Sequence, residues 1–349
     1  MSSMNLTVKM ATGPSVPTQK PFHSYSSFFL AHTVIDFVVS TPAVLSNVIL
    51  LITIFRDSRR QKQLCRSPFT LLVMNLSLCD FISGTVPGYG SLYYDYVIFH
   101  SRTDEKLVGI RVIIITTGII TNVVGSCTVM AMSFDRLFAI ESPLRYKMQV
   151  DVGKKKVKIF IIAVWIYSLL FISLSRIGIS QDISTLLYCH LHLSLPLLIL
   201  AVVFWETYRA LRLHTNQVRA LSPTDKPMFY TLRKRERKVL NAIIIVLVVF
   251  YLTFTPQFIA LNVMLFRPRL STQVGFRSFL YTANKILLIS SGINPFIYAW
   301  RIPKYRRAFK AMCERGSASN QQISNIALHT ISSRDARTAD SSSTTEFCQ

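Results

Sequence analysis

Two short clusters put charge and proline where an apolar chain tolerates neither easily: Asp135-Arg136-Leu137 closes one long hydrophobic run, and Asn294-Pro295-Phe296-Ile297-Tyr298 closes the last. An aspartate beside an arginine can make an ion pair that is held or released. A proline inside a helix removes one backbone hydrogen bond and permits a bend. Asp80, Asp36 and Lys285 lie within other hydrophobic runs. Because charge and proline are expensive inside a membrane helix, two such clusters in a hydrophobic framework point to a mechanism rather than an anchor.

The elements that must position them are membrane helices. Of 349 residues, 50% are hydrophobic and only 16% charged, too apolar a composition for an ordinary soluble domain. Apolar stretches run from Phe28 to Phe55, Phe69 to Tyr93, Val108 to Ile140, Ile159 to Ser175, Leu186 to Trp205, Val239 to Phe266 and Phe279 to Trp300. Each approaches or exceeds the ~20 residues that cross a bilayer. The expectation is an all-α membrane protein, a seven-helix transmembrane bundle over residues 28–300 with short loops except for a basic connection from Arg209 to Lys238.

Residues 1–27 are polar and lack the apolar core of a cleaved signal, so they read as an extracellular segment preceding a self-inserting first helix. Orientation follows from the basic loops: Arg56, Arg59, Arg60, Lys62 and Arg66 after the first span, Lys154, Lys155, Lys156 and Lys158 before the fourth, and Arg233 to Lys238 before the sixth. These face the cytoplasm, and an odd number of spans leaves the N-terminus outside. The net charge of +22 is therefore loop charge beside membrane helices, with anionic inner-leaflet lipid as a partner; no aromatic stacking platform accompanies it, and no nucleic acid is implied.

After the bundle, Ile302, Tyr305, Phe309 and Met312 recur at helical spacing with Lys304, Arg306, Arg307 and Lys310 between them, which predicts an amphipathic helix over residues 301–314 lying on the inner leaflet. Cys313 at its end is a candidate for palmitoylation. Residues 315–349, rich in serine and threonine, read as a disordered tail and a phosphorylation substrate. Asn5-Leu6-Thr7 fits a glycosylation triplet. Cys79 and Cys127 fall in apolar spans, Cys65, Cys313 and Cys348 on the cytoplasmic side, and Cys189 alone near the outer face, so no intrachain disulfide is expected.

Asn47 in the first span, Asn75-Leu76-Ser77-Leu78-Cys79-Asp80 in the second, Asp135-Arg136-Leu137 with Ser142-Pro143-Leu144-Arg145-Tyr146 after the third, Trp165, Pro196, Pro256 and finally Asn294 to Tyr298 stand in one order and spacing. Together they resemble the rhodopsin-like family of G-protein-coupled receptors across essentially the whole bundle. The resemblance implies a receptor for an extracellular ligand that activates a heterotrimeric G protein, with receptor kinases and arrestin acting on the tail. It implies switch residues Asp135, Arg136, Glu236 as an acidic latch, Phe254, Pro256 as a pivot, Asn294, Pro295 and Tyr298. It further implies a sodium-and-water pocket around Asp80 with Asn47, Ser291 and Asn294, and no other cofactor.

The chain departs from that family pattern at several positions. Phe254 replaces the usual Trp two residues before Pro256, Phe204 a Tyr, Leu137 the last Tyr of the triplet, and Gly125 a hydroxyl of the third span. Arg111 stands where most members carry a cysteine bonded to the second extracellular loop, here a short segment from about Arg176 to Ser184. Receptors of the melanocortin, lysophospholipid, cannabinoid and adenosine branch often lack or rearrange that bond. Gly118 at the amine receptors' aspartate position argues against a monoamine, and Leu288 where an opsin needs its lysine excludes retinal.

By depth and face, Thr117, Thr121, Asn122, Phe254, Gln257 and Lys285 are ligand-contact candidates; the threonines could instead bond their own helix backbone. The alternative functional reading is a receptor-like seven-helix protein that binds a partner without G-protein coupling. A transporter would show repeats or glycine-broken helices. An intramembrane protease on Asp36 and Asp80 would need a Gly-x-Gly-Asp setting that neither aspartate has, so no enzyme is expected. Asp36 lies eleven residues outward of Asn47, roughly 16 Å, and Lys285 nine outward of Asn294, roughly 14 Å. Similar depth on helices that the family sets side by side predicts an ion pair between them, the alternatives being separate solvation in a wet pocket and Lys285 holding an acidic ligand group.

Overall fold

The computed structural model describes residues 22–60, 67–100, 105–174, 177–221, 245, 248–301, 305–307 and 310. Its long helices are α1 (Phe22–Arg60), α2 (Pro68–Phe99), α3 (Glu105–Glu141), α4 (Val150–Ser173), α5 (running from Gln181 to Leu221), α6 (Val248–Phe266) and α7 (Val274–Arg301). Six of them, α1 to α6, are long and apolar enough to cross a membrane, and α7, 28 residues long, packs along α1 as the seventh. No strand occurs among the described residues.

The bundle is apolar outside and polar within. Phe37, Val38, Ile52, Ile159, Ile162, Leu170, Leu198, Val202 and Leu252 are exposed, whereas Asp36, Asn47, Asp80, Asp95 and Lys285 are buried. This is the reverse of a soluble protein and what lipid demands, since only interior partners can satisfy a charged group at that depth. At one end Leu50, Ile54, Phe69, Leu72, Val73, Leu76 and Met132 join α1, α2 and α3, and Tyr305 from beyond α7 packs into the same cluster. The other main cluster joins α3, α5 and α6 through Val123, Leu193, Leu197, Leu200, Phe250, Phe254 and Leu261.

Two helices contain a turn of π-helix, Gly84–Tyr89 in α2 and Tyr188–Ser194 in α5. Each lies at a proline, Pro87 and Pro196, whose ring cannot donate to the regular ladder and collides with the carbonyl four residues back. The wider turn relieves that collision and rotates everything beyond it by about 100°, one residue's worth of helix.

Several helix ends differ from the expected ones. The second span ends at Phe99 rather than Tyr93, because α2 continues past its π turn. The fifth begins at Gln181, capped by Ser180, whose Oγ accepts from the Ile183 amide at 3.3 Å, and Gly178 at φ 103° makes the preceding turn. The connection expected from Arg176 to Ser184 is shorter accordingly. Arg209, expected in a loop, lies inside α5, which runs on to Leu221 through arginines and leucines that are good helix formers outside the bilayer.

Candidate functional site

At the end of the bundle opposite the start of α1, Arg136 is held within its own helix and by the short helix Pro143–Met148. Its Nη2 and Nε donate to Asp135 Oδ2 at 2.5 and 3.1 Å, and Nη2 also donates to Tyr146 Oη at 3.2 Å. Tyr146 Oη donates in turn to both Asp135 oxygens at 3.1 Å. The guanidinium lies 3.9 Å over the Phe69 ring of α2, within cation–π range. With the Asp135 side chain only 10% exposed and that of Arg136 42%, the pair is a partly solvated ion pair of modest strength. Glu236, the expected second latch partner, lies outside the described residues, as do Asn5, Cys313 and the side chain of Tyr298.

Midway along the bundle, Asn294 Nδ2 donates to Asp80 Oδ2 at 2.8 Å, and Ser291 also bonds the Asp80 carboxyl. Asn47 Nδ2 donates to the carbonyls of Ala43 at 2.8 Å and Ser291 at 3.0 Å, tying α1 to α7. The four residues implied to form one polar centre are therefore together. Its supply of oxygens fits a hard monovalent cation: the Asp80 carboxylate, the Ser291 hydroxyl, and Asn47 Oδ1, which is buried without a hydrogen-bond partner. Gly125 of α3 offers no side-chain oxygen, and a Cβ there would meet Leu76 Cδ1 at 3.7 Å. Beside this centre Trp165 Nε1 donates to Asn75 Oδ1 at 2.9 Å and Asn75 Nδ2 to Thr128 Oγ1 at 2.8 Å, fastening α2, α3 and α4.

The ligand-contact candidates lie on α3, α6 and α7. Thr121 donates to its own backbone, to Thr117 O at 3.0 Å, while accepting from Ser83 Oγ at 2.7 Å. Thr117 lies half-buried one turn along α3. Asn122 Nδ2 donates to Tyr188 Oη at 2.6 Å, using the π turn of α5. Phe254 is buried and stacked on Phe250, ring centroids 3.8 Å apart, and Gln257 is buried with its Oε1 unpartnered. Cys189 is a free buried thiol accepting from Asn262 Nδ2 at 3.1 Å; Cys79 and Cys127 are also free, and the other cysteines lie outside the described residues. Arg111 reaches α2 instead, donating to Tyr94 Oη at 3.4 Å.

Where α1 begins, the charges expected to meet do meet. Lys285 Nζ donates to Asp36 Oδ2 at 2.6 Å, both side chains being almost fully buried. Sequence reasoning missed the rest of this group. Asp95 of α2 puts its Oδ2 3.6 Å from the same ammonium, Tyr281 donates a short hydrogen bond to Asp95 Oδ1, and His32 packs edge-on against the Tyr281 ring at 5.2 Å. An aspartate inside the apolar run Tyr93 to Phe99 was the available signal for Asp95.

The family model described as 7 transmembrane receptor (rhodopsin family) matches residues 46–189 and 180–298. Melanocortin receptor 4 of Danio rerio is 23% identical over 313 residues, covering 86% of this chain and 91% of the relative. Melanocortin receptor 3 of Homo sapiens is 21% identical over 280 residues, covering 77% and 80%.

Proposed function

As the chain belongs to the rhodopsin family of seven-transmembrane receptors, we propose that it is a plasma-membrane receptor, N-terminus outside, that couples an extracellular ligand to a heterotrimeric G protein. The observation that carries this reading is the Arg136 latch: an arginine bonded to Asp135 and Tyr146 at the end of α3, a few bonds away from release. In the resting state the latch keeps that end closed. Ligand at the opposite end favours a second state in which α6 bends at Pro256, its inner half swings away from α3, and Arg136 leaves Asp135 for the incoming partner. A ligand can shift this equilibrium only by as much as it prefers the open state.

Asn294 and Asp80 link the two ends, since Asn294 sits directly before Pro295 in α7 and its hydrogen bond must change if α7 bends there. When bound, a sodium ion would neutralise the Asp80 carboxylate and hold the closed state; Asp80, Ser291 and Asn47 would hold it. Phosphorylation of the tail by receptor kinases and arrestin binding belong to the same reading, as do glycosylation at Asn5 and palmitoylation at Cys313.

A second reading, partner binding without coupling, is favoured by Phe204 and Leu137, which remove two hydroxyls from the family pattern. Nucleotide exchange on a panel of purified G proteins, with the receptor in lipid nanodiscs and melanocortin peptides heading the ligand panel because two relatives carry that name, separates the two readings. Exchange above the empty-nanodisc rate supports coupling, and none with any G protein supports the second reading.

A further inference from the structure

The group where α1 begins holds two carboxyl side chains against one amine. Asp36 and Asp95 are wholly buried and Lys285 nearly so. One oxygen of each aspartate is engaged, Asp36 Oδ2 by Lys285 and Asp95 Oδ1 by Tyr281. Asp36 Oδ1 has no hydrogen-bond partner and Asp95 Oδ2 meets only the ammonium already held by Asp36, at 3.6 Å, so the two carboxyls flank one amine and stand within reach of one another. Were both carboxyls ionised, the group would hold two buried carboxylates against one amine, with Asp36 Oδ1 unpartnered and Asp95 Oδ2 reached only by the 3.6 Å contact to Lys285, an arrangement that buried polar groups avoid.

Whatever compensates that charge must be small. One turn along α1, Ser40 is pressed against Gly88 of α2 so closely that a Cβ on Gly88 would lie 2.2 Å from Ser40 Oγ and 3.3 Å from Leu288 Cδ2 of α7. The three helices are closed over the group on that side. The other facing groups are His32 from α1, Tyr94 from α2, Arg111 from α3, which bonds Tyr94, and Tyr281 from α7. Among the described residues Asp95 makes an ion-pair contact with Lys285 alone; Arg111 donates to the neutral Tyr94 Oη, and His32 meets the Tyr281 ring edge-on.

We propose that Asp36 and Asp95 share one bound proton, so that the junction of α1, α2 and α7 is a proton-binding site in which O–H of one carboxyl donates to the free oxygen of the other. His32 lies one turn towards the start of α1 from Asp36, on the same face, with its buried Nδ1 unpartnered, and stands on the route a proton takes to the pair. The proton fastens α1 to α2 while Lys285 fastens α1 to α7; losing it leaves two adjacent like charges that push α1 and α2 apart. Acid conditions at that face thus hold the junction closed and alkaline conditions loosen it.

The test is thermal stability of the purified full chain in nanodiscs between about pH 5 and about pH 8, where a proton held by the folded but not the unfolded chain makes stability fall as pH rises. Wild type should melt progressively lower towards the alkaline end. Asp95→Asn, whose amide donates to Asp36 in place of the shared proton and still accepts from Tyr281, should lose that dependence and melt at or above wild type at the alkaline end. An equal pH slope in wild type and Asp95→Asn overturns the proposal. If Asp95→Asn does not fold, infrared spectra of wild type and Asp80→Asn decide. A protonated-carboxyl C=O band at neutral pH that shifts in heavy water and survives Asp80→Asn supports the shared proton, and its absence in Asp80→Asn refutes it.

Discussion

Exchanging the partners of the Asp36–Lys285 pair should damage the receptor singly and spare it jointly. The two atoms are 2.6 Å apart, with side-chain exposure of 0% and 8%, so water screens the pair little. Removing one member of such a buried pair costs about 3–5 kcal/mol, most of it from the charge left without a partner. At about 2 °C per kcal/mol for a bundle of this size, Asp36→Lys and Lys285→Asp should each lower the melting temperature by about 6–10 °C and reduce surface expression. In the double exchange an amine on α1 again faces a carboxylate on α7, and Asp95, 3.6 Å from the present ammonium, remains available to it. The melting temperature should return to within about 4 °C of wild type, a coupling of about 3 kcal/mol or more in the double-mutant cycle. Losses that simply add, measured in detergent at one fixed pH, would refute the pairing as a source of stability and leave Lys285 as a ligand contact.

Three further outcomes follow from the same geometry. Tyr146→Phe removes the hydroxyl that bonds both Asp135 and Arg136, and because Arg136 is half solvated the loss is worth about 1 kcal/mol, so basal nucleotide exchange should rise a few-fold at matched expression; an unchanged rate would show that the hydroxyl does not hold the latch. Glu236→Ala should raise basal exchange by a similar few-fold factor if Glu236 is the second partner of Arg136, and unchanged exchange would remove it from the latch. Gly88→Ala should lower the melting temperature by several degrees, since the added Cβ meets Ser40 Oγ at 2.2 Å, and Ser40→Ala in the same chain should recover part of the loss; wild-type stability in Gly88→Ala would mean that the α1–α2 contact is looser than described.

How much of this was legible in the sequence depended on whether a residue's face could be counted along an undistorted helix. Asp36 and Lys285 could be paired by depth on helices that the family resemblance sets side by side, because the stretches from Asp36 to Asn47 and from Lys285 to Asn294 carry no π turn. Asp95 could not: the Pro87 π turn lies between it and Asp80, shifting its face by about one residue, and the apolar run was cut at Tyr93, two residues short. The centre around Asp80 was readable because Asn47, Ser291 and Asn294 arrive from helices whose order the family resemblance implies. In the sequence Tyr146 is legible only as part of a segment after the third span; its contacts depend on the short helix Pro143–Met148 bringing its hydroxyl back to Asp135, a tertiary contact with no local signature. The start of α5 was missed because Ser180 caps a first turn too polar to read as membrane helix.

The central claim, that release of the Arg136 latch engages a G protein, is tested most directly by nucleotide exchange with wild type and Arg136→Ala side by side in nanodiscs at equal receptor concentration. Wild type should accelerate exchange on at least one G protein, and Arg136→Ala, folded to the same melting temperature, should not. Equal acceleration by both would contradict it, because the coupling would then not pass through the arginine that Asp135 and Tyr146 hold.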